Sequence, residues 1–79
     1  MPELKQLLAD IVLTLVDHPD EVKIDEKEEG NTVVFTLYVN EADMGKVIGR
    51  RGKNAKCIRT VMKSAANLTG KKVVVDIAE

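Results

Sequence analysis

Arg50 and Arg51 stand side by side between two glycines in the run "KVIGRRGKNAKCIR", residues 46–59, and the chemistry this arrangement suits is anion capture. A guanidinium presents a rigid fork of donors that matches phosphate oxygens. Gly49 and Gly52 let a sugar-phosphate chain come close to the main chain and allow positive φ where the turn requires it. Lys46, Lys53, Lys56 and Arg59 surround the pair with further positive charge, and Ile48 sets an apolar side chain next to it.

Catalytic chemistry has little to work with. The one histidine, His18, precedes a proline in an acidic turn, and the one serine, Ser64, lies inside a helical pattern with no base in reach. One His and one Cys do not make a metal site without improbable carboxylate help. The phosphate-binding Walker pattern also fails, because Val47 stands where its first glycine belongs and Asn54 where Ser or Thr belongs. The chain reads as a non-enzyme that needs no cofactor.

Charge is distributed unevenly. Formal net charge is −1, yet residues 1–43 carry three basic and eleven acidic side chains, while 44–72 carry nine basic and none acidic. That window points to an anionic partner for one half of the molecule. The bland reading is a solvated basic face.

A chain of 79 residues, 44% hydrophobic, reads as one folded domain spanning 1–79 with an aliphatic core, since it holds one Phe, one Tyr and no Trp. A single cysteine, Cys57, allows no internal disulfide, in keeping with a reducing, cytoplasmic setting; it reads as a small buried hydrophobe. The apolar N-terminus is broken by Lys5 and Asp10 and is shorter than the roughly 20 residues a bilayer needs, so it reads as a core helix.

The elements that position the arginines follow from periodicity. Leu4, Leu7, Leu8, Ile11, Val12 and Leu15 recur at helical spacing, which predicts a first helix over 3–17, with Pro2 at its start and Pro19 ending it. Leu13 falls opposite that stripe and is expected at the surface or in a self-association surface. Val22 and Ile24 alternate with charges, 32–39 is rich in β-branched and aromatic residues, and Gly30-Asn31 makes the hairpin turn between these strands. Asn40 caps a second helix over 41–48, with Asp43 at the capping-box position, and Gly49 stops it. A third helix begins near Lys53 with Ala55, Ile58, Val61, Met62, Ala65 and Leu68 as its apolar stripe, Lys56, Arg59 and Lys63 opposite, and Gly70 at its end. The last strand, "KKVVVDIA", is apolar enough to be covered on both faces. The expected class is α+β, in the order α-β-β-α-α-β. The arginine pair then occupies the connection between helices two and three, beside the unpaired N–H groups and positive dipole end of helix three.

Together, "VIGRRGKNAKCIRTV" and this element order resemble the KH domain: a hydrophobic pair, a GXXG loop, then a helix with an isoleucine, Ile58, six residues beyond the second glycine. The order corresponds to the type II KH fold, a three-stranded mixed sheet packed against three helices. In length the chain resembles the small bacterial KH proteins of the KhpA family. The resemblance implies a clamp for about four nucleotides of single-stranded RNA, and a role as RNA chaperone or post-transcriptional regulator. Gly49, Arg50, Arg51 and Gly52 would form the loop, Lys46 and Lys53 flank it, and Lys56 with Arg59 extend the basic wall. It also implies association, as a homodimer or with a larger KH-containing RNA-binding protein.

Two features qualify this. The resemblance places the hairpin turn "EKEEGN", with Glu26, Glu28 and Glu29, beside the groove, where it would repel phosphate; and Phe35 and Tyr38 lie on opposite faces of one strand, leaving little surface for stacking bases. Weak, salt-dependent and weakly selective binding follows. Single-stranded DNA as ligand, and a protein-protein interaction module with little nucleic-acid affinity, remain open alternatives.

Overall fold

The computed structural model describes residues 2–78. Its order is α1 (Pro2–Leu13), β1 (Lys23–Glu29), β2 (Thr32–Tyr38), α2 (Met44–Ile48), α3 (Lys53–Asn67) and β3 (Lys72–Ile77). This is the α+β, type II KH arrangement. β2 lies at the centre of the sheet, antiparallel to β1 and parallel to β3.

The three helices pack on one face of the sheet. Along β2, Val33, Phe35 and Leu37 point into the core and are fully buried, while Tyr38 emerges on the other side. Leu4, Leu8 and Val12 of α1, Val47 of α2, and Ile58, Met62 and Ala66 of α3 meet them, with Ile24 and Val75 closing the flanks. The opposite face carries Lys23, Asp25, Lys27 and Glu29 of β1 in register with Tyr38, Thr36, Val34 and Thr32 of β2. Lys27 and Glu29 pair there at 2.8 Å, and Lys23 sits 5.7 Å from the centre of the Tyr38 ring. That face meets water.

β3 is therefore not covered on both faces as its sequence suggests. Only Val75 is buried, and Val74 points outward, 44% exposed. The reason is layer number: with every helix on one side, no described element covers the other.

Local chemistry also shortens the predicted helices. α1 ends at Leu13 instead of residue 17. The Thr14 hydroxyl donates back to the Ile11 carbonyl at 2.6 Å, and the Thr14 and Leu15 N–H groups bond to the Ile11 and Val12 carbonyls, tightening the chain into a final turn. Asn40 does cap, accepting from the Ala42 N–H at 2.7 Å. It opens a 3-10 turn, Glu41–Asp43, and the α-helical part of α2 follows it. The stripe of α3 is Ala55, Ile58, Met62 and Ala66; Val61 is 45% exposed and Leu68, beyond the helix end, 90% exposed. Gly70, at φ 75, turns the chain toward β3. Cys57 is exposed, contrary to the buried role expected of it, while Leu13 is at the surface.

Phe35→Ala should lower stability by about 3–5 kcal/mol in urea denaturation, because it empties the centre of the core. Val74→Ala, on the open face, should stay within about 0.5 kcal/mol of the parent.

Candidate nucleic-acid interface

The loop between α2 and α3 takes its shape from three residues with positive φ: Gly49 at 76°, Arg51 at 56° and Gly52 at 73°. Among the described residues Arg51 is the sole non-glycine in this region, at a cost of about 1–2 kcal/mol. Such strain concentrates at functional sites. The loop is also braced. Asn54, in the first turn of α3, donates from its side-chain amide to the Lys46 carbonyl at 2.8 Å, tying the start of α3 to α2. A Cβ on Gly49 would lie 2.7 Å from the Asn54 Cγ and 2.9 Å from its backbone nitrogen. The first glycine is thus required twice, for its φ and for close packing against Asn54.

Arg50 and Arg51 project into solvent from this braced turn, followed along α3 by exposed Lys53, Lys56 and Lys63. Among the described residues these five side chains make no ion pair and no side-chain hydrogen bond. No side chain caps the N-terminus of α3, so its dipole and N–H groups face the same region as the arginines. Ile48 is half-buried next to the loop, whereas Val47, Ala55 and Ile58 are core residues.

Two of the predicted basic residues are engaged by the protein itself. Arg59 donates from Nε to the Val75 carbonyl at 3.1 Å, so its guanidinium lies on the rim of β3. Lys46 is paired with the Asp17 carboxylate and lies 3.8 Å from Asp43; these anions raise its pKa above the usual lysine value.

The Arg59 contact reveals a groove. The Lys72 N–H donates to the carbonyl of Asn31, just before the central strand, and the Ala78 N–H to that of Leu37 within it. In a parallel ladder alternate residues face the same neighbour, so Val73, Val75 and Ile77 turn their main-chain groups to the open edge of the sheet. Between that edge and α3 runs a cleft of about 300 Å³ lined by Arg59, Lys63, Val73, Val74, Val75 and Asp76. It has an apolar floor, a basic wall and main-chain donors.

The acidic hairpin turn lies at the end of the groove remote from the loop. Asn31 donates to the Gly70 carbonyl at 2.9 Å and Lys71 reaches Glu28 at 3.4 Å, which fixes the turn at the C-terminal end of α3. α3 has 15 residues, so this is about 22 Å along the helix from the arginines.

Beneath Lys46 lies Asp43, a carboxylate with no exposed surface. It was expected to complete a capping box. Instead it accepts from the backbone N–H groups of Asp17 and His18, at 3.1 and 3.0 Å, and lies 3.0 Å from His18 Nδ1. Burial pushes its pKa up, but the hydrogen bonds from Asp17 and His18 prevail and hold it below 3.8. Asp43 and Asn54 are the structural supports that spacing did not reveal.

Fold, loop and groove together define a KH domain. The profile described as KhpA/KhpB, KH domain, matches residues 5–77. The chain belongs to this family. Among its relatives, the RNA-binding protein KhpA of Clostridium acetobutylicum is 50% identical over 74 residues, covering 94% of this chain and 99% of that protein. The protein of the same name from Halalkalibacterium halodurans is 41% identical over 76 residues, covering 96% and 100%. Among solved structures, Aquifex aeolicus Era bound to GDP and aluminium fluoride superimposes with a TM-score of 0.68 at 17% identity, over 94% of this chain and 29% of Era. Era in complex with a segment of 16S ribosomal RNA gives 0.66 at 17% identity, over 94% of this chain and 28% of that one. These two likenesses show the fold, and this chain spans less than a third of either.

Gly49→Ala should lower the melting temperature by at least about 4–8 °C. Gly52→Ala, where an added Cβ meets nothing within 4 Å, should show only the smaller penalty of its positive φ. Because the Asp43 pKa is depressed on folding, its contribution is fully present above pH 3.8 and is lost as pH falls through the lower folded value. Melting temperature plotted against pH should drop in that acidic range, and Asp43→Asn should start lower and show a shallower drop.

Proposed function

We propose that this chain binds single-stranded RNA, clamping its backbone at Gly49–Gly52 and laying bases in the groove between α3 and β3. The observation that carries this reading is the set of exposed, unpaired basic side chains around a strained, braced turn at a helix N-terminus. Phosphates meet Arg50, Arg51, Lys53 and Lys56, with Lys63 continuing the path. Bases leave the strand toward Val73 and Val75, where the rim offers apolar contact and main-chain hydrogen bonds. With the acidic turn at the far end of α3, the loop itself is open to anions.

The names of the KhpA relatives and the RNA in one Era complex support the ligand class. The biological role we assign is that of a cytoplasmic, non-enzymatic RNA chaperone or post-transcriptional regulator, acting as one KH domain over 1–79. Few aromatic groups face the groove, so affinity per site is low and steeply dependent on salt.

Low affinity gives association a purpose, since two linked sites bind with avidity neither has alone. A second reading, an interaction module, draws on an apolar cleft of about 300 Å³ between α1 and α3, lined by Leu7, Ile11, Leu15, Cys57, Ile58 and Val61. A second copy, or a larger KH-containing RNA-binding protein, would cover it.

Titration of a labelled random-sequence single-stranded RNA, followed by fluorescence anisotropy, tests the clamp. Arg50→Asp/Arg51→Asp should weaken binding at least about tenfold and melt like the parent. Equal binding by both proteins would refute the clamp and leave the interaction module.

A further inference from the structure

Six basic side chains lie on the loop and its flanks, and one of them is already neutralised. Lys46 immediately precedes Val47-Ile48 and the clamp, yet its ammonium is paired with Asp17 and lies 3.8 Å from Asp43. Resting on the RNA-clamp reading, we infer that Asp17 is an internal stand-in for phosphate: it occupies Lys46 in the free protein and so lowers the affinity of the clamp for RNA.

The arrangement is built, not incidental. Asp17 is held in place by its own backbone, whose N–H donates to the buried Asp43 carboxylate at 3.1 Å, and His18 is held the same way at 3.0 Å. Asp43 lies three residues before Lys46, so one buried group fixes the Asp17 turn and also faces the Lys46 ammonium. The Asp17 carboxylate itself is 69% exposed, and the Lys46 side chain 47%. An exposed pair of this kind is weak and exchangeable. Lys46 can therefore be drawn to a phosphate, but only by leaving Asp17, and the RNA must supply that difference. Arg50, Arg51, Lys53 and Lys56 carry no such cost.

The consequence is specific in sign. Removing the Asp17 charge leaves Lys46 with only the longer, 3.8 Å contact to Asp43, so that it is drawn to the RNA more readily, adding one phosphate contact and tightening binding. Removing Lys46 from the parent protein changes binding little, because its charge is committed elsewhere. The Asp17 backbone bond to Asp43 does not involve the Asp17 side chain, so Asp17→Asn leaves the turn intact.

The test is a double-mutant cycle on the full chain, with the labelled random-sequence RNA at several salt concentrations. Asp17→Asn should bind about two- to fivefold more tightly at low salt, and its plot of log affinity against log salt should steepen by about 0.7, the value of one further phosphate contact on a single strand. Lys46→Gln alone should change affinity less than about twofold, and Asp17→Asn/Lys46→Gln should gain over Lys46→Gln no more than the general charge effect that Asp20→Asn shows. Asp20→Asn, in the same exposed turn, makes the same change in net charge and should give a smaller gain and an unchanged slope. If Asp17→Asn binds no better than Asp20→Asn, or if its excess over Asp20→Asn survives in the double variant, the inference is wrong while the clamp stands. A several-fold loss in Lys46→Gln alone also overturns it, since Lys46 would then be a phosphate contact already. If no variant and not the parent binds RNA, the clamp reading itself fails and takes this inference with it.

Discussion

Everything near the candidate site depends on how α3 is seated. Its stripe of Ala55, Ile58, Met62 and Ala66 lies against Val33, Phe35 and Leu37 of the central strand, all at or near zero exposure. Once that face is fixed in the core, the others follow from helix geometry. The N-terminus meets α2 across the arginine turn, the basic face runs beside β3, and the C-terminal end receives the hairpin. One hydrophobic contact surface thus sets the position of a dipole, a charged wall and a groove that are polar in function.

The polar supports act on a smaller scale. Asn54 closes the turn from the α3 side and makes Gly49 sterically obligatory. Asp43 draws the segment after α1 onto α2. Burying a carboxylate is unfavourable unless its oxygens are satisfied, and here backbone N–H groups and His18 satisfy them. These two residues tie the segment after α1 and the start of α3 to α2, and the region between them holds the loop with its strained Arg51.

Some of the site was legible beforehand because it depends on residues close together. The glycine pair, the two arginines, the acid-free window and the start of α3 are local features, and the structure sets them where local rules put them. Helix ends were less legible. α1 stops at Leu13 because Thr14 bonds backward and because Asp43, 26 residues later than Asp17, takes an N–H group that further helix would have used. Cys57 looks like core by its residue type and Val61 by periodicity, but both line the open cleft between α1 and α3.

By itself, the sequence determined the order of elements, the clustering of positive charge in one half and the backbone freedom of the loop, since hydrophobic period, charge and glycine act over a few residues. Tertiary structure alone decided which charges are available. Lys46 and Lys53 are indistinguishable in composition and flank the same loop, yet among the described residues one is paired and the other is not, because chain folding brings Asp17 and Asp43 to the first and no described carboxylate to the second. It likewise decided that β3 has an open edge and one wet face, and that the acidic turn lies at the far end of α3. Electrostatic pairing and edge exposure depend on distance in space, and hydrophobic packing between distant segments sets those distances.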